Sequence, residues 1–388
     1  MSRVLVSGAS IAGPALAYWL HRHGFDVTVV EKSDTIRGGG YPIDIRGTAL
    51  EVVRRMGLMP RLRDAHINTE RLTFLEPDGS PIASVKPDAV VRGTEGNDLE
   101  IPRGDLTTIL YDAVRDDVEF VFGDSISTLD EHPDRIDVTF RSGAQRTFDL
   151  VIGADGLHSN TRALRFGPEE QYHRYLGHCF AGFTMPNDLG LSREGVTWCE
   201  PGRGAALYAV GDGDQVHGFL TFRRPDPPFD AFRDPRAQRD LVASVFAGDG
   251  WEIPRMVAVM REAGDLFFDV VSQIRMPRWS SGRVALAGDA AHAPSFVTGQ
   301  GTSLGLVGAY MLATALAGND HHEQAFGGYE RDTRPFIEAN QDLAGNGGSV
   351  LFPATAEALA ARNAMLRGLT TIPAEAARPE YSALVLPS

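Results

Sequence analysis

The sequence predicts a mixed α/β protein: a parallel-stranded core interrupted by an inserted antiparallel β-sheet and closed by C-terminal helices. Three observations carry this. Residues 3–31 read as strand, glycine turn, helix and strand. Residues 176–224 alternate small and large side chains with frequent Gly and Pro, as an antiparallel sheet does. After residue 303 the pattern is almost continuously helical to about residue 370.

The elements follow in order. Val4, Leu5 and Val6 make a short buried strand. Helical spacing runs from Ile11 to His23, with Leu16, Trp19 and Leu20 on one side and Gly24 as the C-terminal stop. Val27–Val30 is a second β-branched strand. A glycine-rich connection spans 37–40, and Thr48–Met56 is helical. Two short strands between Leu72 and Val85 flank a Pro77-Asp78-Gly79 turn. A helix is expected over Arg103–Val114, and strands near 118–122, 136–140 and 150–152. The clearest strand of the inserted sheet is QVHGFLTFR, 215–223; residues 225–228 are a loop, 236–246 a helix and 267–274 a strand. The tail from Pro373 is Pro/Ala-rich and expected to be loose.

The discontinuity implies a division: 1–70, 99–174 and 275–345 form the first domain, 71–98 and 175–274 the inserted sheet, and 346–388 a C-terminal helix and tail. A small-molecule site is expected in the cleft between the two domains.

Composition narrows the function. A net charge of −14 with no basic stripe argues against nucleic-acid binding. Only Lys32 and Lys86 are lysines, and neither has a catalytic context. Cys179 and Cys199 are far apart, so neither a metal site nor a disulfide framework is expected. The chain enters a strand at Arg3 with no signal-peptide pattern, and its longest apolar run is too short to span a bilayer. A cytoplasmic setting, as monomer or homodimer, is the expectation.

Three motifs carry chemistry. Gly8-Ala9-Ser10-Ile11-Ala12-Gly13 joins the first strand to the first helix. Gly8 permits a tight turn, Gly13 permits close packing, and the helix start offers backbone N–H groups to a pyrophosphate. Glu31 ends the second strand where an acid meets a ribose hydroxyl, with Lys32 beside it. The second motif is Gly153-Ala154-Asp155-Gly156, with Ser159 and Arg162 on a following helix. In the third, Asp289 follows a buried strand and a helix opens on Gly299-Gln300-Gly301-Thr302. A carboxylate there suits a sugar-alcohol hydroxyl, and the helix mouth suits a ring that gains negative charge.

In this order and spacing, the trio resembles the class A flavoprotein monooxygenases, the p-hydroxybenzoate hydroxylase-like group. The length and C-terminal helices are most similar to the short branch that includes the tetracycline-inactivating enzymes. The resemblance covers roughly residues 1–345. It implies a Rossmann-like FAD-binding domain of the GR2 type and a substrate domain built on the inserted sheet. It implies FAD contacts from Gly8, Ser10, Ala12, Gly13, Glu31, Lys32, Arg46, Arg103, Asp155, Asp289, Gly299, Gly301 and Thr302. Phe180, His217, Phe222 and Pro294 are the candidates for a substrate pocket; His158 and His292 are read as packing or loop contacts. Ser10, Ser295 and Thr302 depart from the usual motif residues. The implied reaction takes NAD(P)H and O2 and hydroxylates an aromatic or polyketide-like molecule through a flavin C4a-hydroperoxide, with no side-chain nucleophile. The alternatives are a flavin reductase or dehydrogenase without oxygen insertion, and a non-catalytic flavin- or ligand-binding protein.

Overall fold

A computed structural model describes residues 2–36, 38, 41–86, 98–228, 230–231, 234–345, 353–368 and 378–387. Apart from Gly38, the glycine connection at 37–40 lies outside the described residues.

The chain opens with β1 (Arg3–Ser7), α1 (Ala12–Arg22) and β2 (Asp26–Glu31). Gly24 ends α1 at φ +83°, and the Phe25 N–H reaches back to the Leu20 carbonyl. Next come β3 (Pro42–Ile45), α2 (Thr48–Arg55), α3 (Met59–Asp64) and the hairpin of β4 (Arg71–Leu75) and β5 (Pro81–Val85). Then follow β6 (Leu99–Pro102), α4 (Arg103–Asp112), β7 (Glu119–Phe122), β8 (Ile126–Glu131), β9 (Ile136–Phe140), β10 (Gln145–Phe148), β11 (Leu150–Gly153) and α5 (Asn160–Phe166). The long antiparallel strands are β12 (His173–Pro186), β13 (Glu194–Glu200), β14 (Arg203–Tyr208) and β15 (Gln215–Arg223). After α6 (Pro235–Val245) and α7 (Ile253–Glu262), β16 (Phe267–Ile274) leads to β17 (Ser280–Ser281), β18 (Val284–Leu286) and the short α8 (Asp289–His292). The chain ends in α9 (Gly301–Ala317), α10 (His322–Asp342) and α11 (Ala356–Gly368).

Two large sheets organise these elements. One has six strands in the order β17-β18-β11-β1-β2-β7, parallel except for β17. Its strands are short and apolar because α1 and α9 cover one face and the β8–β10 sheet packs on the other. The second has seven strands in the order β16-β12-β15-β14-β13-β4-β5. A separate core lies between its outer face and α6 and α7, where Val242, Phe246, Ile253, Met256 and Met260 meet Leu220 and Phe222.

Several short elements were not expected: β3, β6, β8, β10, α3 and α7. Four-residue strands bounded by proline give too little alternation to recognise. α7 did carry a signal, since Ile253, Met256 and Met260 fall at helical spacing.

The tail corrects an expectation. Residues 378–387 are not loose; Tyr381 is buried and Leu386 joins the main core. Their carbonyls accept hydrogen bonds from Thr48 Oγ1 (to Leu384, 2.8 Å), Tyr310 Oη (to Pro387, 2.8 Å) and Asn340 Nδ2 (to Glu380, 2.9 Å). Composition describes a segment without neighbours, and here three distant helices supply the neighbours.

A Cβ at Gly13 would stand 1.8 Å from the Gly8 carbonyl oxygen, so α1 meets the β1 turn only because residue 13 has no side chain. Gly13→Ala is expected to destabilise the protein by about 2–3 kcal/mol. Thermal or urea unfolding measures it, and an unchanged midpoint would contradict the close approach.

Candidate functional site

The carboxyl ends of β1, β11 and β18 bring the three motifs together. Gly8 leaves β1 at φ +107°, and a Cβ there would lie 2.5 Å from the Ala154 carbonyl, so the first and second motifs touch. Gly288 ends β18 at φ +60°, where a Cβ would meet the Ala12 side chain at 2.9 Å. Ala12 also packs near Gly305 of α9. Small residues thus let α1 and α9 converge on one mouth.

Glu31 is buried. Its carboxylate accepts the Ala9 N–H at 2.8 Å and the Ser33 N–H at 3.0 Å, which leaves a lone pair on each oxygen for a ribose diol. Lys32 is exposed beside it. Ser10, in place of the middle glycine, accepts a 2.8 Å hydrogen bond from Arg103 Nη2. The departure from the motif therefore has a partner. That bond holds the Arg103 guanidinium at the turn, where its charge also acts on Asp289 and Tyr41.

Asp289 lies deep among the protein's atoms yet is solvent-accessible, so it faces an internal cleft. Among the described residues it has no hydrogen-bond or ion-pair partner. Burial raises its carboxyl above the usual range and the Asp269 charge adds to this, while Arg103 opposes them. A Cβ on Gly301 would lie 3.8 Å from Asp289 Oδ1, which places the carboxylate at the N-terminal end of α9. Gln300 caps that helix; it is fully buried, and neither atom of its side-chain amide has a partner. Thr302 is buried in the first turn. Gly299 sits at φ +63° against the buried Asp44–Arg46 pair, whose Nη2–Oδ1 separation is 2.9 Å. Burial raises Asp44 to about 6 against the lowering effect of Arg46.

These residues fit FAD. Among the described residues the buried Gln300 amide has an unmet donor and acceptor, and the accessible Asp289 carboxylate has no partner, which a ring amide and a polyhydroxy chain would complete. The glycine turn at Gly8 and the helix start beyond it suit a pyrophosphate.

Asp155 has partners within the fold. One oxygen accepts the Ser159 hydroxyl, and the other accepts Thr161 N–H and Oγ1, each at 2.9 Å. The carboxylate organises the start of α5. Arg162, fully buried on that helix, donates to the Ala290 carbonyl at 3.0 Å and so ties the second motif to the third.

The inner face of the seven-stranded sheet turns toward this cleft. Cross-strand pairing puts Phe180, His217, Phe219 and Thr221 on that face with Phe267. Phe180, Phe219 and Phe267 lie 5.5–6.5 Å from one another or from Tyr41, and Phe296, two residues past Pro294, stacks on Phe180 at 5.0 Å. Tyr41 and Phe296 come from loops of the first sheet, so the cluster bridges both sheets. Phe222 is a correction: strand alternation turns it to the opposite face, edge-on to Phe246 in the outer core. Pro294 is buried and its carbonyl accepts Gln273 Nε2 at 2.9 Å, so it braces the loop. His217 keeps its place, and burial lowers its pKa. Tyr41, Phe219, Phe267 and Phe296 were missed. The period-2 register of 215–223 would have separated Phe219 from Phe222.

His292 packs between Trp279 and Tyr329, and burial pushes its pKa down to about 3. Cys179 and Cys199 are buried thiols in no disulfide, and Arg362 Nη1 donates to Cys199 Sγ at 3.1 Å. Among the described residues, no His/Cys/Asp/Glu group could hold a metal, and no helix is long and apolar enough to cross a membrane.

A dinucleotide cradle with an unmet carboxylate at a helix mouth, roofed by an aromatic sheet, defines a flavin-binding redox protein. A family model described as "FAD binding domain" matches residues 1–183 and 260–344. An uncharacterized protein of Mycobacterium tuberculosis is 43% identical over 345 residues, 88% of this chain and 92% of that one. A flavin-dependent monooxygenase from Legionella longbeachae is 34% identical over 340 residues, 87% of each. The crystal structure of tetracycline destructase Tet(55) superposes with a TM-score of 0.86 at 34% identity, covering 100% of this chain and 99% of that one. The chain belongs to the FAD-dependent monooxygenase family.

One cluster fixes how the sheets meet. His158, just past the second motif, lies 2.8 Å from Glu169 and 3.3 Å from Asp269 of β16. The hydrogen bonds it donates to Asp269 and Glu169 raise its pKa from 6.5 to about 10. A raised folded value means that the imidazolium stabilises the fold fully below pH 6.5, and that this is lost as pH rises through about 10. The side chain is half exposed, so screening keeps the effect small. Wild type is expected to exceed His158→Gln in melting temperature at pH 6 and to lose that margin by pH 10; a margin that grew with pH would contradict the assignment.

Proposed function

We propose that the protein hydroxylates a planar aromatic or polyketide-like small molecule, with NADH or NADPH and O2 as co-substrates. The observation that carries this is the aromatic cluster of Phe180, Phe219, Phe267, Tyr41 and Phe296 beside the flavin cradle. Aromatic faces and edges recognise a flat conjugated ring by offset and edge-on contact. The tetracycline destructases among the structural neighbours are named for a polyketide of that kind.

In this reading Gly8, Ser10, Ala12 and Gly13 receive the pyrophosphate, and Glu31 takes the adenosine ribose. Asp289 would take the ribityl chain, and Gly299, Gly301, Thr302, Arg46 and Arg103 would contact the ring. Lys32 and Asp155 stay outside the direct contacts. Bound FAD supplies the redox chemistry, accepting hydride from the nicotinamide and activating O2. The chain's part is to bind, orient and exclude water: the N-terminal end of α9 stabilises negative charge on the ring, and the aromatic cluster keeps the reacting face dry. The substrate domain comprises 71–98 and 175–274. A cytoplasmic monomer or homodimer without nucleic acid as partner completes the reading.

The test is a screen of phenols and fused-ring polyketides, tetracyclines included, for stimulated NADH or NADPH oxidation, with product mass followed under 18O2. A product heavier by one labelled oxygen is expected; stimulated oxidation with no label in any product would favour a reductase. With such a substrate in hand, Phe219→Ala is expected to raise KM about tenfold. Phe222→Leu is expected to lower Tm and leave KM unchanged. The reverse pattern would put the pocket on the other face of the sheet.

A further inference from the structure

We propose that the C-terminal tail is part of the flavin site, with Tyr381 as a positioning residue that fixes Arg46 beside the Gly299 turn. The inference rests on the reading of that turn as the seat of the flavin ring.

Arg46 is buried, and it belongs to a crowded set of charges. Its Nη2 pairs with Asp44 at 2.9 Å, while its Nε stands 3.7 Å from Asp98 with no hydrogen-bond partner. Its backbone N–H donates to Ser303 Oγ of α9 at 3.0 Å. A Cβ on Gly299 would be 3.3 Å from Arg46 Nη1, so the guanidinium borders the glycine turn. Asp44 lines the same turn, its Oδ2 3.4 Å from that Cβ position. The tail contributes as well: the Tyr381 ring lies 5.9 Å from the guanidinium carbon, a cation–π contact that helps hold Arg46 at the turn.

The backbone approaches just as closely. Gly47 has φ +54°, and a Cβ there would stand 1.9 Å from the Tyr381 carbonyl oxygen. The tail and the Arg46–Gly47 turn therefore meet at a contact that only glycine permits. Other tail anchors, Thr48 to Leu384, Tyr310 to Pro387 and Asn340 to Glu380, grip α2, α9 and α10 and do not involve Arg46. The tail would stay attached without the Tyr381 side chain, so that side chain has a separate task.

The experiment titrates FAD into apo-protein, followed by flavin fluorescence, and melts each apo-variant. Tyr381→Leu in the wild-type background is expected to weaken FAD binding about tenfold. In an Arg46→Met background the same change is expected to have no further effect, the non-additivity of two residues acting through one contact. Leu386→Ala, which loosens the tail elsewhere, is expected to lower the apo Tm and leave FAD affinity unchanged. Three results would overturn the inference: an unchanged affinity in Tyr381→Leu, an equal loss in both backgrounds, or a loss in Leu386→Ala as large as in Tyr381→Leu. If wild type itself takes up no FAD, the flavin reading falls and this inference with it.

Discussion

A carboxylate with no hydrogen-bond or ion-pair partner among the described residues, held at the positive end of a long helix, is the constraint around which the molecule is arranged. Asp289 reaches that position because β18 pairs in parallel with β11, and because Gly288 turns the chain at φ +60° directly above Ala12. Burying a carboxylate without a partner disfavours its charged form. The neighbouring groups are set to offset that: Arg103 is held nearby by Ser10, and α9 points its N–H groups at the same space. A ligand that brings hydroxyls to Asp289 completes the set.

The two sheets divide the work. The parallel sheet ends all three motif strands at one edge, where an open α/β sheet binds its ligand. The antiparallel sheet presents two different faces, one packed on α6 and α7 and the other turned to the cleft. The joints between sheets are charged and aromatic: His158 between Glu169 and Asp269, and Tyr41 among phenylalanines from both sides. Such a joint holds orientation while leaving room for a small molecule between the layers.

Much of this was legible in the sequence. The βαβ unit from Arg3 to Glu31, strand 215–223 and strand 267–274 follow from periodicity and glycine placement, because those segments are both regular and buried. Gly8, Gly13 and Asp289 were legible because a tight turn or a buried acid has few chemical substitutes. The roles of Ser10 and Asp155 were not. Each is decided by a partner, Arg103 for one and Ser159 with Thr161 for the other, and a motif does not record what its residues touch. Phe222 and Phe219 were separable only by strand register. The tail was misjudged because its order comes from Thr48, Tyr310 and Asn340, 40 to 336 residues away.

The most direct measurement is the melting temperature of purified apo-protein as FAD is added, for wild type and Asp289→Ala. A ligand that binds only the folded state raises Tm with its concentration. Wild type should show that rise, and Asp289→Ala should lose most of it while keeping an apo Tm no lower than wild type, because a carboxylate with no partner among the described residues, its charge disfavoured by its setting, is removed. An undiminished FAD-dependent rise in Asp289→Ala would contradict the place given to this carboxylate.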